Sequence, residues 1–378
     1  MNILVFSWRD PKHPLAGGAE QVMHEHMKGW IKVGHKVTLF SSSFKGSSRF
    51  ETIDGVRVIR RGSQYLGVHI CAFLWYLFGN HERFHLVVDQ FHGIPFLTPL
   101  YIKVPKLAVL QEVAREVWFL NPLSWPLNWM IGIIGYIGES VIFLFYKNIK
   151  FMTGSESAKE DVSKFGIPKQ NITVVPHGVI LHKLKVRAPF GRKSEKLEVQ
   201  TIVYLGVLSK DKGIEDAIKC FSILNKVGEW NFWVIGKADS KKYSDNLKMM
   251  CKELELDRKI KFWGFVTQGK KFELLSRAHI LINPSVKEGW GLVNIEANAM
   301  GTPVVAYRSL GLIDSVSDGI SGIFCGEKTP QSLAEAVYSL LTDSKHLAKI
   351  SRTAISWSKQ FSWKEAKIQS LELIKSLT

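Results

Sequence analysis

Short apolar runs rich in Val, Ile, Leu and Phe recur along the whole chain. Polar stretches separate them, and in these the apolar residues return at helical spacing. In the first half the runs fall at 3–6, 36–40, 56–59, 86–88, 107–110, 151–154 and 172–175; in the second, at 201–205, 232–235, 261–265, 280–283, 304–307 and 322–324. Strands buried on both faces read as continuous apolar runs and not as alternation. Their regular exchange with helices predicts parallel sheets covered on both sides, the doubly wound α/β class. Residues 182–200 are rich in Lys, Arg, Glu and Pro and show little periodicity, so they read as a linker between two domains, 1–185 and 186–361.

One stretch departs from this rhythm. From 117 to 146 the only charge is Glu139, and the segment carries Trp118, Phe119, Trp125, Trp129, Tyr136 and Phe143. Asn121, Pro122, Pro126 and Asn128 break its first part. Its second part, 127–146, is long enough for a membrane-spanning helix. Glu139 and the glycines at 132, 135 and 138 weigh against that, as does the strand–helix series that resumes at Lys150. The expectation is a helix packed in or on the first domain, preceded by an aromatic loop suited to a membrane interface.

Composition narrows the function classes. The chain has 378 residues, is 46% apolar and carries a formal charge of +16, which points to an anionic partner and says nothing of fold. Splitting the chain near Lys185 leaves equal positive excess in both halves, and no segment interleaves basic and aromatic residues on one surface, so nucleic acid is not the expected partner. Cys71, Cys220, Cys251 and Cys325 are widely spaced with no CxxC pair, the pattern of reduced thiols in a cytoplasmic protein. Met1–Asn2–Ile3 onward reads as a first strand and not as a signal peptide, because Arg9 and Asp10 arrive too early.

Three loops carry candidate chemistry. After the first strand, Leu15-Ala-Gly17-Gly18-Ala-Glu20 opens a helix, where backbone amides and the helix start favour an anion. After the run 280–283 comes Ser285-Val-Lys-Glu288-Gly289-Trp290-Gly291-Leu292-Val293-Asn-Ile-Glu296. Its glycines let the amides at 291–293 face a ligand, with an acid on either side: amides donate to phosphate oxygens and carboxylates accept from sugar hydroxyls. At the end of the second domain's first strand, Gly206-Val207-Leu-Ser-Lys210-Asp-Lys212-Gly213 offers movable ammonium groups for phosphate. No Asp-x-Asp occurs, and Glu253, Glu255 and Asp257 read as a solvated helix surface, so no metal site is expected.

Taken together these stretches resemble the retaining GT-B glycosyltransferases, glycosyltransferase family 4. The match continues through Gly34-His35, Ser155-Glu-Ser157, Pro176-His177-Gly178, Gly301-Thr-Pro-Val and Asp318-Gly-Ile-Ser-Gly322. The resemblance implies two Rossmann-like domains facing a central cleft, with a last helix at about 362–378 packing back on the first. It implies a nucleotide diphosphate sugar, UDP- or GDP-linked, held mainly by the second domain, an acceptor held by the first, and no required metal or other cofactor. Glu288 would hold the transferred sugar and Glu296 the ribose. Lys212 and the amides of Gly291, Leu292 and Val293 would stabilise the leaving diphosphate, with Gly206, Lys210, Gly289 and Trp290 in the same donor-binding loops. Gly17 and Gly18 would close on the phosphates.

Three positions depart from the family pattern. Val207 stands where an arginine is usual, and Lys210 is the expected substitute; Gln111, beside Glu112, stands where a histidine near the donor sugar is usual; and His177 replaces an asparagine. Asp89 and His92 are further polar candidates for the acceptor side. The expected function is transfer of a sugar to a lipid-linked or glycan acceptor by a peripheral protein at the cytoplasmic face of an anionic membrane. The alternatives are a GT-B binding subunit without turnover and a sugar-nucleotide epimerase.

Overall fold

The structure, a computed structural model, describes residues 1–121, 123–179, 197, 199–238 and 240–378. The expected domain boundary at 185/186, most of the expected linker and Pro122 lie outside the described residues. The chain divides into two compact units, one formed by Met1–Gly178 with Trp363–Thr378, the other by Val179–Ser362.

In the first unit the chain runs β1 (Asn2–Phe6), α1 (Gly18–Lys32), β2 (Lys36–Ser41), β3 (Phe50–Ile53), β4 (Val56–Arg60), α2 (Leu66–Phe78), β5 (Leu86–Gln90), β6 (Lys106–Val109), α3 (Leu127–Phe145), β7 (Lys150–Thr153), α4 (Glu156–Ser163) and β8 (Ile172–Val174). The strands line up in the order β3-β4-β2-β1-β5-β6-β7-β8. All described pairs are parallel except β3–β4. Ile3, Leu4, Val5 and Phe6 are fully buried at the centre of this sheet, as a strand covered on both faces requires. The edge strand β3 escaped the apolar-run reading because Phe50-Glu-Thr-Ile53 alternates and lies half exposed. Its cue was the Asp54–Gly55 pair, both at positive φ, which closes a two-residue hairpin.

The second unit continues with β9 (Thr201–Leu205), α5 (Ile214–Leu224), β10 (Asn231–Ile235), α6 (Lys241–Glu253), β11 (Ile260–Gly264), α7 (Gln268–Arg277), β12 (Ile280–Asn283), α8 (Leu292–Ala299), β13 (Val304–Ala306), α9 (Leu312–Ser315), β14 (Gly322–Phe324), α10 (Pro330–Thr342) and α11 (Ser344–Ser358). Its parallel sheet has the order β11-β10-β9-β12-β13-β14. Chain progression reverses between β9 and β12 here, and between β1 and β5 in the first unit. In open α/β sheets the crevice beyond the carboxyl ends at such a reversal is where ligands bind. α6 ends at Glu253, and Glu255 lies beyond it at positive φ, so the expected helical row of Glu253, Glu255 and Asp257 is a helix end and a turn.

The apolar segment forms α3 on the surface of the first unit. Only Gly132, Glu139 and Phe143 of the helix are buried, a single stripe, while Trp129, Ile133, Ile134, Ile137 and Val141 are exposed. By length and composition alone α3 is long and apolar enough to cross a membrane. Two of the three glycines expected to weaken it are packing notches: a Cβ at Gly132 would come within 2.4 Å of the Phe119 ring, and one at Gly135 within 2.3 Å of Trp118, whereas one at Gly138 would meet nothing within 4 Å.

The last helix, α12 (Trp363–Lys375), packs along α1. The Trp30 indole N–H donates to Ser370 Oγ at 3.2 Å, Lys367 pairs with Glu25, and Lys367 lies where a Cβ on Gly29 would be. Trp363 lies against two buried histidines, edge-on to His26 and stacked on His177. Burial lowers the pKa of each to about 3. Both are therefore neutral in the folded protein, whereas the unfolded chain takes up protons below the ordinary value near 6.5. Stability falls as pH drops through that window, by about 1.4 kcal/mol per pH unit per histidine. Urea midpoints should decrease from pH 7.5 to pH 5, and His26→Leu should flatten that decrease; an equal slope in both proteins would contradict the assignment.

Candidate functional site

In the second unit three loops meet at the carboxyl ends of β9, β12 and β13. Gly213, at positive φ, brings the first loop so close to the second that a Cβ would lie 2.1 Å from the Pro284 carbonyl oxygen. The Val286 amide donates to the Asp211 carbonyl at 2.8 Å, and the Glu288 amide to that of Leu310 at 3.2 Å. These contacts bring Lys212 and Glu288, distant in sequence, to 3.2 Å (Nζ to Oε2). Lys212 also donates to the Lys287 carbonyl at 3.3 Å, and Ser285 Oγ lies 3.2 Å from Glu288 Oε1. The Tyr204 hydroxyl underpins the first loop by donating to the Val207 carbonyl at 2.9 Å.

Gly291 caps α8 in the left-handed region, where a Cβ would lie 2.8 Å from Asn294 and from Ser315. A buried chain of side chains fixes this helix start: Asn283 donates to Asn294 at 2.9 Å, and Asn294 to Ser315 at 2.9 Å. Leu292 and Val293 are the first residues of α8, so their amides face outward from the helix start beside Glu288. Glu296, one turn further on, is buried and paired with Lys271 of α7. Lys271 was not legible as a site residue, because it lies on a different helix inside an ordinary polar run. Trp290 lies at the edge of the Phe361 ring and is 3% exposed, so its indole belongs to the core and only its backbone faces the loop. Gly206 and Gly289 sit in the same loops, and Lys210 is exposed.

In the first unit the corresponding loop joins β1 to α1. Glu20 reaches back to accept from the Gly17 amide at 2.7 Å, the half of a capping box that a glycine N-cap allows. A Cβ on Gly18 would meet nothing within 4 Å, and one on Gly17 only the Glu20 carboxylate at 3.7 Å. Chain packing therefore does not demand these glycines; what they leave is open, amide-lined backbone. Glu20 is buried between Arg9 at 3.3 Å and His92 at 3.7 Å. His92 stacks on Trp8, and burial, ahead of the Arg9 charge and against the pull of Glu20, lowers its pKa.

Asp89 is placed differently from the acceptor-side expectation. It is 1% exposed, and its carboxylate accepts from the Tyr146 hydroxyl at 2.5 Å, the Thr98 hydroxyl at 2.8 Å and the Phe96 and Thr98 amides. Burial raises its pKa against all these bonds. It shapes the loop after β5 from below, and His92 alone of the two lies among the loop residues above the sheet.

Asp10 and Arg60 form a second buried arrangement that the sequence pattern did not announce. The Arg60 guanidinium donates to both Asp10 oxygens, at 2.7 and 3.0 Å. Burial pushes the Asp10 carboxyl up, but the Arg60 bonds, the Lys12 amide and the guanidinium charge hold it below the usual value. This pair ties the loop after β1 to β4.

Comparison with known proteins decides the family. Residues 16–183 match the family described as Glycosyltransferase Family 4, and residues 188–357 match Glycosyl transferases group 1. An uncharacterised glycosyltransferase of Methanocaldococcus jannaschii is 30% identical over 91% of this chain and 90% of its own length. The chain belongs to the GT-B glycosyltransferases of the family 4 type. Among solved structures, Anabaena HepE in complex with UDP-glucose shares the fold with a TM-score of 0.75 at 17% identity, covering 100% of both chains. WaaG, a glycosyltransferase involved in lipopolysaccharide biosynthesis, does so with a TM-score of 0.74 at 14% identity, covering 97% of this chain and 98% of its own.

Within this glycosyltransferase two of the three departures from the family pattern touch each other. His177 Nε2 lies 2.7 Å from Gln111 Oε1, the ring nitrogen donating and the amide oxygen accepting. A Cβ on Gly154 would lie 2.4 Å from that same nitrogen, so Gly154 is what admits the pair. The two replacements thus form one hydrogen-bonded unit. The third, Val207, has an exposed side chain, so the absent arginine leaves no gap in the core. Among the described residues no group of three or more His, Cys, Asp and Glu could hold a metal ion.

Proposed function

We propose that this glycosyltransferase moves a sugar, with retention of anomeric configuration and without a metal ion, from a UDP- or GDP-sugar to a lipid-linked or otherwise membrane-borne acceptor. The observation that carries the donor reading is the Lys212–Glu288 pair at 3.2 Å beside the α8 start, at the reversal of the second sheet. As the glycosidic bond breaks, negative charge grows on the departing diphosphate. Lys212 and the amides of Leu292 and Val293 answer that charge from fixed positions. Glu288 accepts from hydroxyls of the transferred sugar, and Glu296 from the ribose in place of its present bond to Lys271. The family pattern assigns Gln111 to the transferred sugar and Gly17 and Gly18 to the phosphates; the open space at Gly18 agrees with such an approach. UDP-glucose in HepE makes a UDP-sugar the first donor to try.

The membrane part rests on surface and charge. In β5, Val87 pairs with Leu4 and Asp89 with Ala108, and Ala108 pairs with Phe151. Alternate residues share a face, so α2, packed over Leu4 and Val87, and α3, packed over Ala108 and Phe151, cover the same side of the first sheet. Their outer surfaces expose Ile70, Leu74 and Phe78 in α2 and Trp129, Ile134 and Ile137 in α3. With a net charge of +16, an anionic bilayer complements both the apolar and the cationic surface, each lysine or arginine near it adding about 1 kcal/mol. The cytoplasmic face is the expected location.

The right nucleotide sugar should raise the thermal midpoint by mass action. Anionic vesicles should bind the protein at low salt and release it at high salt. No shift with any UDP-, GDP- or ADP-sugar would sink the donor reading, and indifference to anionic lipid would sink the membrane reading. Val207 in place of arginine favours, as a second reading, a donor-binding subunit without turnover; such a subunit would show the thermal shift but release no nucleoside diphosphate. An epimerase would release it without any acceptor.

A further inference from the structure

We propose that Glu139 is a positioning residue for the transfer reaction: its carboxylate, projecting from α3, holds the turn 111–115 and so sets where the Gln111 side chain stands. The inference rests on the transferase reading and on the assignment of Gln111 to the transferred sugar.

Glu139 is the one acid in a long apolar segment, and it is 3% exposed. A buried carboxylate is costly unless its oxygens are hydrogen-bonded. Here the Ala114 amide donates to Oε1 and the Arg115 amide to Oε2, each at 2.8 Å. Both partners lie about 25 residues away in sequence, in the segment that leaves β6 through Gln111. Bonds from backbone amides to an ionised acceptor are roughly twice as strong as neutral ones. The same helix grips the segment at further points. Tyr136, one turn before Glu139, lies under the Arg115 guanidinium at 4.9 Å, with Phe165 at 4.4 Å. Trp118 and Phe119 fill the notches at Gly135 and Gly132. Trp118 also reaches Gly93, beside His92, where a Cβ would come within 3.1 Å of its ring.

The arrangement is more than a core contact, because what Glu139 fixes is backbone beyond the carboxyl end of a sheet strand. Arg115 has a φ of 39°, a conformation a bulky residue rarely holds without support, and the Glu139 bond to its amide supplies that support. From this turn Gln111 reaches His177, and Val113 anchors the middle in the core. Glu139→Gln keeps the shape but turns an amide N–H toward one of the two donors, so one bond becomes a repulsion. The turn should then loosen, and Gln111 with it.

Four full-length proteins decide this: wild type, Glu139→Gln, Gln111→Ala and the double variant. Their nucleoside diphosphate release is measured with donor and acceptor, and UDP affinity by titration. Glu139→Gln should lower kcat by about tenfold to a hundredfold with UDP affinity unchanged. In the Gln111→Ala background it should cost less than about twofold more. Losses that multiply, or a loss confined to UDP affinity, would overturn the proposal. Amide hydrogen exchange gives a readout independent of turnover: protection at Ala114 and Arg115, and across 111–113, should fall in Glu139→Gln while the sheet stays protected. If the wild type turns over no donor, the transferase reading fails, and unchanged protection of 111–115 in the variant would separately overturn the positioning role.

Discussion

Replacing Glu288 by alanine is expected to cut the rate of nucleoside diphosphate release by about a hundredfold to a thousandfold while the protein stays folded. Glu288 is half-buried, and its carboxylate partners are Lys212 and Ser285, all within the loops at the carboxyl edge of the second sheet. No core packing depends on it. Two effects combine in the variant. The sugar loses a hydrogen-bond acceptor, which loosens its alignment with the departing phosphate. Lys212 loses the carboxylate at 3.2 Å that helps to hold its ammonium beside the α8 start, so the ammonium is held less firmly there. Both effects fall on the transition state, where charge on the diphosphate is greatest, so kcat should fall more than nucleotide affinity. Glu288→Gln should retain part of the activity, because it keeps an acceptor oxygen but no longer holds the ammonium by charge. Release by the alanine variant within a few fold of wild type would show that the chemistry does not run through this pair.

Ending the chain after Ser362 should unfold the first unit and leave the second standing. The truncation removes α12, whose Trp363, Ala366, Ser370 and Ile374 are buried. It uncovers Trp30 and His26, both fully buried, and takes Lys367 from the Glu25 carboxylate, which keeps only Lys28 of the two lysines that pair with it. Losing a buried tryptophan alone costs about 3–5 kcal/mol, against a total domain stability of about 5–15 kcal/mol. In chemical unfolding the truncated protein should show one remaining transition, that of residues 179–362, and Trp363→Ala should move the other transition to lower denaturant. Two unchanged transitions would mean that α12 contributes little.

What could be read from the chain follows from how local each signal is. The inner strands were legible because parallel strands covered on both faces must be apolar throughout, and 3–6, 201–205 and 280–283 are such runs. The donor loops were legible because glycines and charged residues stand together over a few positions. Lys212 and Glu288 do meet, although their sequence separation says nothing of the 3.2 Å between them. Partners supplied from far away were not legible: Lys271 for Glu296, Arg60 for Asp10, and the Ala114 and Arg115 amides for Glu139. Asp89 misled for the converse reason. An acid at a strand end reads as a ligand-facing group until four donors of the same unit are seen to surround it. Gly132 and Gly135 of α3 misled similarly, since helix propensity counts them as defects and only Phe119 and Trp118 reveal them as sockets.

The packing of α12 on α1 also sets an order of events during synthesis. The first unit begins at the amino terminus, yet the last residues of the chain cover Trp30 and Ser370 closes the bond to its indole. Domains emerging from the ribosome fold as units, amino-terminal first. In this chain the earlier unit has to wait, its α1 face bare, until the whole of the later one has been made. The second unit is thus free to fold before the first is complete, and the first can close only once α12 has been made.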